Sequence, residues 1–294
     1  MLGIFQKSVA EPPKELNSTA AAAAPATLPC GAAAAGGSAK GPGGVDCKKA
    51  MQPNEILRAF VSAHPVDATL SASMGDGRAI MAYFRHDNNR SILKHQRLFC
   101  GLDDMYCLFL GNLINLSTLI KQYGLSKAAN EAMLVIEAYR TLRDRGPYPA
   151  DQVVKDFNGS FAFVVYDSKA TTVFAALIIK ISVVVVVVVG QGSDEAVELY
   201  WGIAADGSVV ISDNLDIIKG GCGRSFAPFP AGCMFHSEGG LKSFEHPMHK
   251  MKPVPRVDSE GLICGADFNV DKYSRVSSIP RVGSEANWTA WTSH

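Results

Sequence analysis

The sequence predicts an α+β fold built from antiparallel sheets, and three observations support this. Pairs of apolar segments joined by short turn sequences follow one another through the second half of the chain, which is typical of β-hairpins. A strongly periodic helical segment stands between two sets of predicted strands. The chain has 294 residues, of which 47% are hydrophobic, so it has enough apolar side chains for a large core. Strands in succession with helices between the sets are typical of layered α+β domains.

The first half of the chain contains two predicted helices and two predicted strands. Residues 53–63 carry apolar side chains at helical spacing, and a proline suits the first turn. Residues 79–84 and 105–110 are short apolar runs and predict buried strands. Residues 127–142 have apolar side chains every three or four positions, which predicts the clearest helix.

The second half of the chain predicts three hairpins. In each, two strand-like segments flank a short turn sequence, and Asp-Gly is the strongest short hairpin signal of the three. The paired segments are 160–167 with 171–177, 198–205 with 208–213, and 233–238 with 241–246.

Charge and motif content exclude several classes of function. The chain has 28 basic and 28 acidic residues, and this balance argues against nucleic-acid binding or adhesion to anionic membranes. It has no Gly-rich phosphate loop of standard spacing, so we expect no nucleotide cofactor, and no other cofactor is indicated. Residues 1–16 lack a signal-peptide pattern, and seven irregularly spaced cysteines favour reduced thiols. We therefore expect a cytoplasmic or nuclear protein.

Two segments have strongly biased composition. Residues 19–44 contain 11 Ala, 6 Gly and 3 Pro, too few large apolar side chains to offset backbone entropy, so we predict a disordered insert over 19–49. Residues 178–191 include seven consecutive valines and form a valine-rich insertion in the predicted domain. This run is interrupted by Lys180 and is shorter than the about 20 residues that a bilayer requires. We expect a β-strand preference there and no membrane span.

One group of side chains has the chemistry of a zinc site. Cys233, His236, His246 and His249 follow the spacing C-x₂-H-x₉-H-x₂-H. Cys233 and His236 fall on a predicted strand, where side chains three positions apart point to opposite faces. The sequence therefore favours ordinary hairpin residues, and no metal site is expected.

Several segments resemble a plant protein family. The sequence contains Tyr123-Gly124-Leu125 and Leu142-Arg143-Asp144-Arg145. It also contains the segments HQRLFCGLDDMYCLFLG (95–111), NEAMLVIEAYRTLRDRGPYPADQVVKD (130–156) and YSRVSSIPRVGSEANW (273–288). In these segments it resembles the aluminium-induced or stem-specific proteins with YGL and LRDR motifs, which carry a domain of unknown function. The resemblance covers residues 1–18 and about 50–292.

That family is similar in turn to the glutaminase domain of class II amidotransferases, which are N-terminal-nucleophile hydrolases. The similarity runs through residues 155–177, 199–219 and 229–235. It implies a four-layer α-β-β-α sandwich of two antiparallel sheets. Residues 1–18 would supply its first strand and residues 50–292 the rest of the domain.

The resemblance implies a defective active site. In the enzymes, the cysteine after the initiator methionine attacks the glutamine amide, whereas this chain has Leu2, which has no nucleophilic atom. Arg97 matches the arginine that holds the glutamine carboxylate. Gly111 and Asn112 match the oxyanion-hole segment, although Leu110 lacks the side-chain donor. The acidic residue that grips the substrate amine falls at Ala129 or Asn130.

These losses favour a non-catalytic glutaminase-like plant protein, responsive to stress or hormones, that binds a small metabolite or a protein partner or forms a homodimer. An amidohydrolase with another nucleophile, Ser8 or Cys100, is an alternative. A third alternative is an amino-acid sensor that uses Arg97 to hold a carboxylate.

Overall fold

The fold is described from a computed structural model, which covers residues 1–17, 49–65, 69–85, 95–144, 151–179, 197–257, 261 and 263–275. Most of the predicted insert over 19–49 lies outside these residues, as do the seven valines and the motif residue Arg145. No helix in the described segments is both long and apolar enough to cross a bilayer.

The described residues form fourteen strands, five α-helices and a short 3-10 helix at Lys14–Leu16. The α-helices are α1 Pro53–Ser62, α2 Leu116–Gln122, α3 Glu131–Asp144, α4 Asp151–Val154 and α5 Leu215–Cys222. The strands are β1 Leu2–Phe5, β2 Thr69–Met74, β3 Ala79–Phe84, β4 Arg97–Leu102, β5 Met105–Leu113, β6 Gly159–Asp167, β7 Thr172–Ile179, β8 Tyr200–Ile203, β9 Val209–Ser212, β10 Phe226–Pro228, β11 Cys233–His236, β12 Gly240–Ser243, β13 His249–Val257 and β14 Ile263–Arg275.

The strands form two large antiparallel sheets and a separate hairpin. Sheet A has the strand order β10-β8-β9-β1-β3-β2, and sheet B has the order β12-β11-β7-β6-β5-β4. Strands β13 and β14 pair only with each other. Strand β1 lies in the interior of sheet A, antiparallel to β3 and β9, which fixes the start of the chain in the middle of a sheet.

Three hydrophobic clusters show how sheets and helices pack. The largest joins residues of both sheets, such as Phe5 and Trp201 of sheet A with Val164 and Phe235 of sheet B, so it lies between the sheets. We call it the inter-sheet core. A second cluster joins the outer face of sheet B to α2, α3 and α4. We call it the sheet B cluster. The third joins sheet A to α1 and α5. The chain is thus an α+β protein with two large antiparallel sheets.

The predicted elements are largely confirmed. All three hairpins form, as β6–β7, β8–β9 and β11–β12, and the helix predicted over 53–63 is α1. The helix predicted over 127–142 begins later, at Glu131, because the Asn130 side chain accepts a hydrogen bond from the Met133 amide at 2.9 Å and starts the helix there. Ile178 and Ile179, the first two residues of the predicted valine-rich insertion, continue β7 opposite β6.

The YGL motif ends helix α2. Gly124 has a φ of +65°, a left-handed conformation that glycine adopts without a Cβ penalty. The Leu125 amide donates to the Ile120 carbonyl at 2.9 Å, and the Gly124 amide donates to the Lys121 carbonyl at 3.2 Å. These two bonds define a Schellman motif, in which the residue after the glycine makes an apolar contact. Leu125 packs against the sheet B cluster accordingly.

The LRDR motif connects α3 to the β6–β7 hairpin. The Arg143 guanidinium donates to Asp167 at 2.6 Å and to Asp144 at 2.8 Å. The other Asp167 oxygen accepts from the Lys169 and Ala170 amides at 3.0 and 2.9 Å, so the carboxylate also holds the hairpin turn. We call Arg143, Asp144 and Asp167 the hairpin cluster. The charged end of this helix is therefore anchored to the hairpin by a tertiary contact.

Candidate functional site

The start of the chain brings residues of three strands together. The register of β1 pairs Leu2 with Ala82 of β3 on one side and with Ser212 of β9 on the other. Continued by one residue, this register sets Met1 between Tyr83 and Asp213. The Ser212 hydroxyl donates to the Met1 carbonyl at 2.8 Å, which anchors the first residue to the end of β9.

Asp213 lies at the centre of a charged group that we call the amine cluster, formed by Met1, Arg97 and Asp213. One Asp213 oxygen accepts from the Met1 amine, and the other accepts from Nε of Arg97 at 2.7 Å. The Asp213 side chain is 5% exposed and that of Arg97 is 26% exposed. Two cationic groups therefore share one buried carboxylate, and the arginine side of the cluster faces solvent.

Burial and charge act in opposite directions on this cluster. Burial lowers the pKa of the Met1 amine, and attraction to Asp213 offsets only part of this effect. Burial alone would raise the pKa of Asp213, but the amine and Arg97 outweigh it, so this pKa lies below its usual value. Asp213 is consequently a carboxylate at neutral pH.

Arg97 keeps one edge of its guanidinium available. Its Nε is used by Asp213, and its two terminal nitrogens make no hydrogen bond to any residue in the described part of the chain. The pair of terminal nitrogens has the fork geometry that grips a carboxylate in two parallel hydrogen bonds. The arrangement can thus bind an anion that arrives from solvent.

Leu2 lies away from the amine cluster. Its side chain is fully buried in the cluster between sheet A and helices α1 and α5, with Ile56 and Phe60 among its members. Met1 belongs instead to the inter-sheet core. This follows from strand alternation, which points neighbouring side chains to opposite faces. Leu2 therefore combines an unreactive side chain with an orientation away from Arg97.

Gly111 and Asn112 lie at the same end of β4 and β5 as Arg97. The register pairs Arg97 with Leu110, the residue before Gly111. The Gly111 amide, predicted as an oxyanion donor, donates to the Gln96 carbonyl at 3.0 Å. Gly111 has a φ of +106°, and a Cβ there would stand 2.3 Å from the Ser160 carbonyl oxygen, so the position requires glycine. Asn112 is exposed.

Asn130 lies on a different side of sheet B. It precedes α3, whose buried residues belong to the cluster on the outer face of that sheet. Arg97 shares its face of β4 with Phe99, which packs against the inter-sheet core. The structure thus brings Arg97, Gly111 and Asn112 to one end of the sheet, whereas Asn130 serves as the cap of α3.

The alternative nucleophiles are also separated from Arg97. Cys100 is three residues from Arg97 on β4, so its side chain lies on the opposite face, where it packs against the sheet B cluster. Burial raises the pKa of the Cys100 thiol, which disfavours the reactive thiolate. Ser8 is exposed beyond the end of β1 that is opposite Met1.

The four residues with zinc-like spacing do not form a metal-ligand group. Cys233 is buried in the inter-sheet core, whereas the His236 ring contacts Tyr139 and Phe174, which belong to the outer cluster of sheet B. The His246 and His249 rings contact each other in a tilted arrangement, with centroids 5.2 Å apart and an interplanar angle of 45°. Among the described residues, no set of three or more His, Cys, Asp or Glu side chains is arranged to hold a metal.

The sequence did not single out Asp213, the residue that organises the site. It follows the apolar strand β9 directly and precedes Asn214, whose side chain caps α5 by accepting from the Asp216 and Ile217 amides. An acidic residue between a buried strand and a helix cap is a recognisable signal for a residue held at a sheet end. Its partners, however, are 116 and 212 positions away in sequence, so only the fold shows them.

Comparisons with known proteins identify the family. A sequence profile of the family described as aluminium-induced protein matches residues 32–270. The chain is also similar to the stem-specific protein TSJT1 of Nicotiana tabacum, with 36% identity over 176 residues, which is 60% of this chain and 99% of the tobacco protein. The chain therefore belongs to the aluminium-induced protein family.

Proposed function

We propose that this protein is a non-catalytic, glutaminase-like plant protein that responds to stress or hormones and binds a small carboxylate metabolite at Arg97. The observation that carries the proposal is the amine cluster. It offers a solvent-facing arginine beside a buried ion pair, while Leu2 supplies no nucleophile and is buried on the other face of sheet A.

The proposed fold is the four-layer sandwich of N-terminal-nucleophile hydrolases. Its support is that two antiparallel sheets share one core, that α1 and α5 pack on sheet A, and that α2, α3 and α4 pack on sheet B. Residues 1–18 and 50–292 would form this domain, with the inserts at 19–49 and 178–191 as additions to it. We also propose the cytoplasmic or nuclear location expected from the sequence.

The absence of glutaminase chemistry is tested by ammonia release from glutamine by the purified protein. We expect no release above the background without protein, either from the native protein or from Cys100→Ser and Ser8→Ala variants, because neither side chain lies on the Arg97 face of sheet B. Turnover that survives both substitutions would show that catalysis uses a group other than these two, and the non-catalytic proposal would be wrong.

The binding role is tested by thermal shift with a panel of small carboxylates that includes the amino acids glutamate, glutamine and asparagine. A ligand that binds the folded state raises the melting temperature by mass action. The shift should vanish in Arg97→Ala and persist in Arg85→Ala, which removes the same charge from an exposed residue just after β3. Equal shifts in the two variants would mean that Arg97 does not hold the ligand.

Binding of a protein partner or a second copy is the other mode that the sequence analysis left open. Light scattering during size-exclusion chromatography measures the mass of the particle directly. If the protein is a dimer and Arg97→Ala leaves the particle mass unchanged, self-association does not depend on the proposed ligand site.

A further inference from the structure

We propose that the amine cluster and an aromatic pair beside it select a monocarboxylate with a flat apolar body, rather than an amino acid. This inference rests on the proposed function, because it names the class of ligand that the Arg97 site takes.

The aromatic pair consists of one ring from each sheet. Tyr83 of β3 and Phe99 of β4 stack with ring centroids 5.6 Å apart and an interplanar angle of 23°. Phe99 is two residues from Arg97 on β4, so both side chains lie on the same face. The β1 register continued to Met1 places Tyr83 beside it in sheet A. The two rings therefore adjoin the cationic group from both sides of the sandwich.

The aromatic pair lies at an incompletely covered edge of the sandwich. Tyr83 and Phe99 pack against the inter-sheet core but are only half-buried. Leu70 pairs with Tyr83 on the edge strand β2 and is 59% exposed. It occupies the same face of β2 as Ala72 and Met74, which contact the inter-sheet core. This edge thus presents two rings and a leucine, a surface suited to a flat apolar group.

The charges of the amine cluster favour a carboxylate and disfavour an ammonium group. Both oxygens of Asp213 are already occupied by cations, from Met1 and Arg97. Ala129 and Asn130, the two positions expected to bind a substrate amine, have no carboxylate. In addition, Ala129 is buried and the Asn130 side chain caps α3. An amino acid held by its carboxylate would therefore bring its own cation close to two others, and like charges repel.

The ligand class is tested by calorimetry with four matched probes. They are 3-phenylpropanoate, L-phenylalanine with an added ammonium group, 3-phenylpropanamide without the negative charge, and propanoate without the ring. We expect 3-phenylpropanoate to bind about tenfold or more tightly than each of the others, since each lacks one required feature or adds a repelled charge. L-glutamine is included as the ligand of the resembled enzymes.

Three variants locate the binding. Arg97→Lys keeps the charge but removes the fork, and should weaken 3-phenylpropanoate binding by about tenfold. Tyr83→Leu removes one ring and should weaken it by about threefold to tenfold. Tyr123→Leu is the matched control, a half-buried tyrosine on the outer side of sheet B, and should leave the affinity within about twofold.

The outcomes separate the ligand class from the proposed function. Tighter binding of L-phenylalanine or L-glutamine than of 3-phenylpropanoate, abolished by Arg97→Lys, would overturn the ligand class and leave the Arg97 site standing. Equal binding of the acid and the amide would overturn the charge argument. The lack of a signal with every carboxylate at millimolar concentration would overturn both proposals.

Discussion

The amine cluster and the hairpin cluster contain the same kind of ion pair in two different settings. In each, an arginine that is 26% exposed donates to an aspartate that is nearly or fully buried, 5% exposed for Asp213 and 0% for Asp167. The difference lies in the third partner. Asp213 is shared by two cations, whereas Arg143 is shared by two carboxylates, and two backbone amides close the remaining oxygen of Asp167.

The third partner decides what each pair can do. In the hairpin cluster, Arg143 and Asp167 hold different parts of the fold, so the pair fixes helix α3 to the β6–β7 turn. In the amine cluster, the terminal nitrogens of Arg97 bond to no residue in the described part of the chain, and the side chain is partly exposed. Gly124 and Arg143 of the YGL and LRDR segments therefore have structural roles, whereas the residues that suit a ligand lie outside those segments.

The largest effect is expected for Asp167→Ala. The substitution leaves Arg143 without its buried acceptor and two turn amides without partners, so unfolding free energy should fall by about 3 kcal/mol. Urea denaturation measures this. Asp144→Ala removes the exposed partner of the same arginine and should cost far less, because solvent screens that pair. If both substitutions lower the unfolding free energy equally, the stabilisation does not come mainly from the buried carboxylate of Asp167.

Asp213→Asn should destabilise the protein less, by about 2 kcal/mol, because Arg97 is partly solvated and the buried amine can lose its proton. It should also raise the affinity for a carboxylate probe, since the negative charge that competes for Arg97 is gone. Asp167→Asn should bring no such gain. If both asparagine variants bind the carboxylate probe more tightly, or if neither does, the contrast between the two clusters is wrong.

The pH dependence of stability provides a test of Asp213 that involves no ligand. Its pKa in the folded protein lies below the ordinary value of 3.8, so its stabilisation is present above that pH and is lost as the pH falls toward the folded-state pKa. The difference in unfolding free energy between the native protein and Asp213→Asn should therefore shrink as the pH falls below about pH 4. A difference that grows below about pH 4 would reverse the inferred sign.

The smallest effect concerns the YGL motif. Gly124→Ala places a Cβ at a φ of +65° and should cost about 1 kcal/mol in unfolding free energy. Gly220→Ala, inside helix α5 with open space around the added methyl, should instead stabilise the protein by about 0.5 kcal/mol. Urea denaturation measures both changes in unfolding free energy. If the two substitutions change it in the same direction, the YGL motif does not act by ending α2 through the left-handed conformation of Gly124.

Local patterns were sufficient for much of the fold. The three hairpins formed where alternating apolar segments flank turn residues, because pairing across a short turn needs only neighbouring sequence. The start of α3 was missed by four residues, because the Asn130 cap overrides the apolar periodicity of residues 127–130. The contact by which Arg143 holds the β6–β7 hairpin could not be predicted from local sequence, because its partner Asp167 is 24 residues away on another element.

The sequence by itself determined the α+β class, the hairpins and the family, since these depend on local spacing and on matching segments. It also showed that position 2 has no nucleophile. Only the tertiary structure decided which charges meet, because β1 enters the middle of sheet A and brings Met1 to Asp213 and Arg97. Contacts between residues so far apart in sequence depend on strand order and on the face that each strand buries, and neither is encoded locally.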